Sequence, residues 1–471
     1  MRKEIKFGTD GWRAIIAKDF TTDNVARVAQ ATASWLLQEF PDKQCSVLIG
    51  HDTRFAGELF AETCAKVIAN CGIKVFLSRG FASTPMISFG TMDLKADVGI
   101  VITASHNPPS YNGFKLKGAF GGPLLPENVK EVESLIPEKN NIDLDSLNIE
   151  EFEERRLLEY VDLETIYCER VEANFDLDSI KRSGLGLAYD AMYGAGQNAM
   201  KRLLPDITFL HCDYNPSFKG QPPEPIDRNL KEFSEMIKRT GNIDCGLATD
   251  GDADRLGMFG SQGNFIDSHH LILLLIHYFC KYKGMKGKVC TAFSTTVKIR
   301  KMCEHYGLEL EVVPIGFKHI CKIMLKEDVL LGGEESGGIA VRGHIPERDG
   351  IWIGLIIWEF MAKSGKTINE LIKEIYDIVG PFVCDRSDLH LKEEQKQKIV
   401  ENCINRKYTS FGDYKVQRVE GLDGYKYYFS DDEWYMIRPS GTEPVLRTYA
   451  EAATKEEVLN ILKVGYDTLI G

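Results

Sequence analysis

Among the 12 cysteines of this 471-residue chain, no two form a C-x-x-C pair. Thiols scattered in this way speak against a structural zinc site or a disulfide framework and suit a reducing, cytoplasmic setting. Long apolar runs are missing too. The greasiest stretches, residues 271–276 and 351–358, fall well short of the roughly 20 residues that a membrane-spanning helix needs. The first residues, Met1 to Gly8, lack the apolar core of a secretory signal. No block of Lys or Arg stands out, and 57 basic against 69 acidic residues leave a net charge of −12. Neither nucleic acid nor a membrane is therefore expected as a partner. An acidic chain that handles anions must instead gather positive charge locally.

What is present is ordinary for a globular protein: 44% apolar and 27% charged residues, too apolar for disorder. At roughly 150 residues per domain, the length suggests about three domains. One unit recurs, a short apolar run followed by a polar or Gly-rich turn and a helix-like segment. Val47-Leu48-Ile49 runs into Gly50-His51-Asp52-Thr53-Arg54, and residues 98–102 run into 103–108. The runs 185–189, 246–249, 289–293 and 329–331 end at Asp190, Asp250, Ser294 and Gly332. Continuous apolar runs of this length suit strands buried on both faces. Helical spacing fills the gaps, as in Val25, Val28, Ala29, Thr32 and Leu36, or Ile368, Leu371, Ile372, Ile375 and Val379. The pattern predicts α/β architecture with its chemistry at strand ends. The tail differs: alternation over 415–451 with an Asp423-Gly424 turn, then a Thr454-x-x-Glu457 capping box, predicts a separate α+β domain.

Asp250-Gly251-Asp252-Ala253-Asp254-Arg255 is the strongest local signal. Three carboxylates at alternate positions after an apolar strand repel one another unless a cation sits among them. An all-oxygen set favours Mg²⁺, Mn²⁺ or Ca²⁺; the alternative is an acidic surface turn. An EF-hand is excluded, because Arg255 stands at the sixth position and no Glu at the twelfth. Thr103-Ala104-Ser105-His106-Asn107-Pro108 puts a serine at a strand end, either as a reactive hydroxyl or as a turn cap, and it lacks the G-x-S-x-G elbow of serine hydrolases. Arg438-Pro439-Ser440-Gly441-Thr442, with Arg447 behind it, suits phosphate recognition or a plain Pro/Gly turn. Residues 332–338, Gly-Gly-Glu-Glu-Ser-Gly-Gly, could hold sugar hydroxyls or form a polar turn. Gly194-Ala195-Gly196-Gln197-Asn198-Ala199 fits a dinucleotide fingerprint in outline, but four residues separate it from its strand. Nicotinamide binding is not expected.

Together these loops, with Gly8-Thr9-Asp10-Gly11-Trp12-Arg13 ahead of them, resemble the α-D-phosphohexomutase family, in that family's order and over nearly the whole chain. The resemblance implies four domains around a central cleft: three related mixed or parallel-sheet α/β domains and a C-terminal α+β domain like the TATA-binding protein. The expected bounds are 1–157 with the serine loop, 158–265 with the metal loop, 266–379 with the sugar loop and 380–471 with the phosphate loop. Ser105 would carry a phosphoryl group, and Asp250, Asp252 and Asp254 would hold one Mg²⁺ together with an oxygen at Ser105. Lys115 would be the general acid/base, with Arg13, His106 and Arg255 around the phosphoserine. Glu334 and Ser336 would grip sugar hydroxyls, with Lys318 and Arg348 lining the cleft. Arg438, Ser440, Gly441 and Thr442, with Arg447, would clamp the phosphate that is not transferred.

The implied reaction converts hexose 1-phosphate to hexose 6-phosphate and back, in an enzyme of the isomerase class. It proceeds through a hexose 1,6-bisphosphate that turns around between two phosphoryl transfers, with glucose 1,6-bisphosphate as activator. Such chemistry needs positioning and charge stabilisation more than covalent help. Some branches of the family carry His after the Ser-Gly of the sugar loop, where this chain has Gly337-Gly338. By analogy that favours glucose over glucosamine phosphate, with phosphomannomutase or dual activity, phosphoglucosamine mutase and a metal-dependent sugar phosphatase as alternatives. The expected partner is a small hexose phosphate, and the expected state a cytoplasmic monomer or homodimer.

Overall fold

The computed structural model describes residues 4–439 and 445–471. The chain forms two compact units. The first runs to Ser268 and takes in Gly316–Asn369; the second comprises His269–Ile315 and the chain from Glu370 onward. None of the 12 cysteines is paired, and among the described residues no helix is long and apolar enough to cross a membrane.

The first unit opens with a seven-stranded mixed sheet. Its order is Trp12–Ile15, Tyr111–Gly118, Val98–Ile102, Ser46–His51, Lys74–Ser78 and Leu158–Val161, with Gly122–Pro123 beside the second of these. The last four strands of that order are parallel. Val47, Leu48 and Ile49 are all buried, so this central strand is covered on both faces, as its unbroken apolar run predicts. Helix Thr22–Glu39, capped by Thr21 Oγ1 on the Asn24 amide, buries the stripe Val25, Val28, Ala29, Thr32 and Leu36. Strand Leu158–Val161 pairs with Lys74–Ser78, so the first sheet extends past the expected boundary at 157. Its apolar first residue, Leu158, is buried in the first core.

From Ser46–His51 the chain steps to one side for Lys74–Ser78 and then to the other for Val98–Ile102. The carboxyl ends of Ser46–His51 and Val98–Ile102 thus flank a switch point, where open α/β sheets place their ligands. A second sheet, in the order Phe265–Ile266, Leu256–Gly260, Cys245–Thr249, Leu187–Asp190, Thr208–Leu210, has a parallel half and an antiparallel half. The hairpin Val329–Gly333/Ile339–Val341 completes the strands of this unit.

The second unit holds the parallel pair Lys288–Ala292/Leu310–Val313 and a five-stranded antiparallel sheet. That sheet runs Val383–His390, Val445–Ala452, Trp434–Pro439, Tyr425–Tyr428, Arg418–Glu420. Helix Lys455–Ile470 covers it and starts at the Thr454/Glu457 capping box. It is the β-rich α+β domain that the alternation predicts.

Candidate active site

Ser105 lies just beyond strand Val98–Ile102, buried, with a left-handed φ of 52°. Its Oγ donates to Asp250 Oδ2 at 2.7 Å and lies 3.3 Å from His106 Nδ1. Burial, followed by the charges of Arg255 and Arg13, pushes the His106 imidazole well below its usual range, so it is neutral. Two residues from the neighbouring strand end hold this loop. Asp52 Oδ2 accepts from Thr103 Oγ1 at 2.5 Å, and Thr103 Oγ1 accepts the Ser105 amide at 2.9 Å. The buried Arg54 guanidinium donates to the carbonyls of Ser105 (2.5 Å), Asn107 (2.6 Å), Pro108 (2.9 Å) and Tyr111 (3.0 Å). A strained serine persists because this fork over-determines the loop.

The three aspartates follow strand Cys245–Thr249, all fully buried, with ligand atoms within 4.8 Å of one another. Asp252 Oδ1 and Asp254 Oδ1 have no hydrogen-bond partner. Burial, then repulsion from Asp252 and Asp254, drives the Asp250 carboxyl well above the carboxylate range. Orphaned, mutually repelling, hard oxygen donors fit a divalent cation such as Mg²⁺.

Cations close the other side. Lys115 Nζ lies 2.9, 2.8 and 3.1 Å from carboxylate oxygens of Asp10, Asp252 and Asp254. Burial lowers its pKa, yet those three charges outweigh burial and hold the ammonium above its ordinary value. Arg348 Nη2 is 2.7 Å from both Asp10 and Asp254. Lys117 Nζ pairs with Glu347 at 2.6 Å. Arg13 donates to Asn107 Oδ1 at 2.5 Å, and the Arg255 amide donates to Asp250 Oδ1 at 3.0 Å. In the sugar loop, buried Glu334 accepts the Gly316 amide at 2.9 Å, and burial pushes its carboxyl up to about 7. A Cβ on Gly338 would sit 2.4 Å from Arg348 Cδ, so a side chain there would displace Arg348. Ser336 and Lys318 are half-buried, the latter in the first turn of helix Phe317–Met324.

In the second unit Arg438 and Arg447 face each other across neighbouring strands, a like-charge pairing offset by Asp423 beside Arg438 and by Asp388 at 3.7 Å from Arg447 Nε. Asp423 Oδ1 accepts from Arg438 Nε at 3.1 Å, and Asp423 Oδ2 accepts the Ile315 amide at 2.9 Å. Ser440, Gly441 and Thr442 lie outside the described residues.

The structure therefore brings Ser105, His106, Arg13, Lys115, Arg255, Arg348 and the three aspartates together, with Glu334 near Arg348. Sequence reasoning missed Asp10, Asp52, Arg54, Lys117, Glu347 and Asp423. Asp52 and Arg54 carried a usable signal, since they end an apolar strand; the rest are recognised only by long-range contacts. The Gly194–Gly196 fingerprint has another use. A Cβ on Gly194 would lie 2.6 Å from Asp250 O, and one on Gly196 would lie 2.2 Å from Tyr189 Oη and 3.2 Å from Ala253 Cβ. These glycines let the backbone pack beneath the metal loop.

Comparison with known proteins agrees with this architecture. Four regions match the phosphoglucomutase/phosphomannomutase descriptions: alpha/beta/alpha domain I at 4–143, domain II at 165–263, domain III at 267–379 and the C-terminal domain at 393–463. A phosphoglucomutase/phosphomannomutase of Thermococcus kodakarensis is 30% identical over 467 residues, covering 98% of each chain. A phosphoglucosamine/phosphogalactosamine mutase of Sulfurisphaera tokodaii is 28% identical, covering 97% of each. A crystal structure from Thermus thermophilus, assigned as a phosphomannomutase, superposes with a TM-score of 0.86 at 32% identity over the full length of both chains. With a serine, an acidic trio and a ring of cations in one place, the chain belongs to the phosphoglucomutase/phosphomannomutase family, the α-D-phosphohexomutases, which are isomerase-class phosphotransferases.

Proposed function

We propose that this phosphohexomutase interconverts glucose 1-phosphate and glucose 6-phosphate, with Ser105 as the phosphoryl carrier and a hexose 1,6-bisphosphate between the two transfers. The contact that carries the reading is Ser105 Oγ at 2.7 Å from Asp250, inside the buried acidic trio. In the first transfer the free sugar hydroxyl attacks phosphorus, the P–Oγ bond breaks, and the hydroxyl proton is balanced by one gained at Oγ. Lys115 is proposed to act first as the acid, its ammonium beside Asp252 and Asp254 giving a proton to the leaving Oγ and the resulting amine taking the proton that the sugar hydroxyl loses. Arg13, Arg255 and neutral His106 surround the reacting group. Asp250, Asp252 and Asp254 would hold one Mg²⁺, which supplies charge neutralisation between phosphate and carboxylates. The bisphosphate then turns around and returns its other phosphoryl group to Ser105 Oγ. Arg438 and Arg447, with Ser440, Gly441 and Thr442, are assigned the phosphate that stays.

Glu334 and Ser336 are assigned the sugar hydroxyls. Glucose is favoured by analogy, because Gly338 stands where some branches of the family carry His after the Ser-Gly of the sugar loop. The phosphoglucosamine mutases among the relatives support glucosamine phosphate as the second reading. Rates measured side by side with glucose, mannose and glucosamine 1-phosphates, Mg²⁺ and a trace of glucose 1,6-bisphosphate decide between them. Glucose should lead, a faster glucosamine rate overturns the preference, and release of inorganic phosphate instead of a 6-phosphate overturns the mutase. Ser105→Ala should fold normally and carry no covalent phosphate; phosphate retained on that variant refutes the carrier.

A further inference from the structure

A cavity of about 280 Å³ is lined by the loop through His211, Phe218 and Pro223 and by the start of helix Lys231–Thr240. None of the residues assigned above lines it. Three cations do, Lys219, Arg228 and Lys231, in a chain whose net charge is −12. The two acids of the lining are engaged by one imidazole: His211 Nδ1 lies 3.0 Å from buried Asp190, and Nε2 lies 3.2 Å from Glu232. Arg228 has a loose 3.7 Å pairing with Glu224, and its side chain is 65% exposed. The cavity therefore presents positive charge.

Its backbone is strained. Of the 12 non-glycine residues with left-handed φ in the described chain, five line or bound this cavity: Met192, Tyr193, His211, Phe218 and Lys219. Such conformations persist only where the surroundings enforce them, and they gather at functional sites. The inner wall packs against the metal loop and against Thr53 and Arg54, the latter of which holds the serine loop. The Phe218 ring lies 5.0 Å from the Arg54 guanidinium that holds the Ser105 loop. Tyr193 O accepts from Thr53 Oγ1 at 2.8 Å. Pro223 Cγ lies 3.0 Å from where a Cβ on Gly251 would stand.

We propose that this cavity is a second anion site that takes a small phosphate monoester, and that its filling is transmitted to Ser105 through Phe218 and Arg54. Lysine and arginine donors match a phosphate dianion, while Met192 and Phe218 offer an apolar floor for the ester's body. The volume suits a small ligand rather than a polymer. Drawing Lys219 onto a phosphate pulls the adjacent Phe218 against Arg54, so the response is a change in kcat rather than in hexose-phosphate KM.

Two measurements on the full chain test this. Crystals soaked in tungstate, an anomalously scattering phosphate mimic, should show density among Lys219, Arg228 and Lys231. That readout does not require turnover, so it stands apart from the mutase reading. Initial rates titrated with inorganic phosphate should show a change in kcat of about fivefold, absent in the double variant Lys219→Ala/Lys231→Ala, whose basal rate is unchanged. An empty cavity in soaked crystals overturns the proposal. So does a purely competitive phosphate effect, or an identical response in the variant, either of which makes the density an adventitious ion only.

Discussion

Arg54→Lys isolates the fork that holds the serine loop. The substitution keeps the positive charge beside Asp52, whose buried carboxyl is pushed up to about 6 with Arg54 and Thr103 opposing the rise. What it removes is the planar guanidinium that reaches the carbonyls of Ser105, Asn107, Pro108 and Tyr111. A lysine ammonium has three donors in no fixed fork, and from one position it serves at most two of these four acceptors. Two carbonyls then lose charge-assisted bonds of about 1.5–3 kcal/mol each, about 3–6 kcal/mol in total. Part of this appears as lost stability, at roughly 2–4 °C of melting temperature per kcal/mol. The rest appears as a misplaced Ser105 Oγ, at about tenfold in rate per 1.4 kcal/mol. Steady-state kinetics and thermal melting of the same preparation measure both shares. The expected result is kcat down by about 10²-fold or more, KM nearly unchanged and a lower melting temperature. A variant with kcat within about twofold of the parent and an unshifted melt refutes the positioning role assigned to Arg54.

Stripping divalent ions with a chelator should abolish turnover and lower the melting temperature, because Asp250 then faces Asp252 and Asp254 with no cation between them, Lys115 and Arg348 answering only the latter two. Asp252→Asn should bind Mg²⁺ more weakly by calorimetry and lose rate in parallel, and full activity in it removes the trio from the mechanism. Arg438→Ala should raise KM for hexose phosphate far more than it lowers kcat. Asp423→Asn, which keeps the shape but loses the charge facing Arg438 Nε, should raise KM by a smaller factor, and an unchanged KM in both refutes the clamp. Glu334 gives a pH test. Its folded carboxyl titrates near 7 against an ordinary 4.5, so the native state holds a proton that the unfolded chain has lost. The contribution is fully present below 4.5 and is lost as pH rises through 7, up to about 3 kcal/mol. Urea midpoints measured from pH 5 to 8 should fall more steeply for the parent than for Glu334→Gln, and equal slopes contradict the shift.

Much of the site could be read from the chain because its chemistry is local in sequence. Asp250, Asp252 and Asp254 stand on one turn after one strand, and Ser105 stands two residues past another strand's first non-strand position. Strands covered on both faces announce themselves as unbroken apolar runs, and the Thr454/Glu457 box announces its helix. Other parts are not local. Asp10 meets Lys115 and Arg348 only once the strands Trp12–Ile15 and Tyr111–Gly118 are paired, and nothing in its neighbourhood of sequence marks it as an acceptor for both. Arg54 reaches backbone carbonyls, which leave no trace in residue identity. The Gly194–Gly196 fingerprint imitates a dinucleotide loop because close backbone packing selects glycine whether the neighbour is a phosphate or, as here, the Asp250 carbonyl.

The buried charges explain why these residues form one device. Lys115 and Arg348 share Asp10 and Asp254, and Lys117 answers Glu347; this part of the network is close to balanced within the chain. Asp250 is the exception. It takes a serine hydroxyl and two neighbouring repulsions, and its carboxyl is driven upward. A buried charge without compensation is costly, so the imbalance at Asp250 is tolerable only where something else supplies the missing charge. A divalent cation supplies that charge, whereas a phosphoserine dianion without the cation deepens the deficit. The resting network is therefore arranged to take the phosphoserine only together with the cation. Lys115, already drawn to Asp252 and Asp254, borders the carboxylates where that change falls. Removing Asp10 would disturb the serine chemistry without touching serine, metal or sugar, because Lys115 and Arg348 would both turn on the acidic trio.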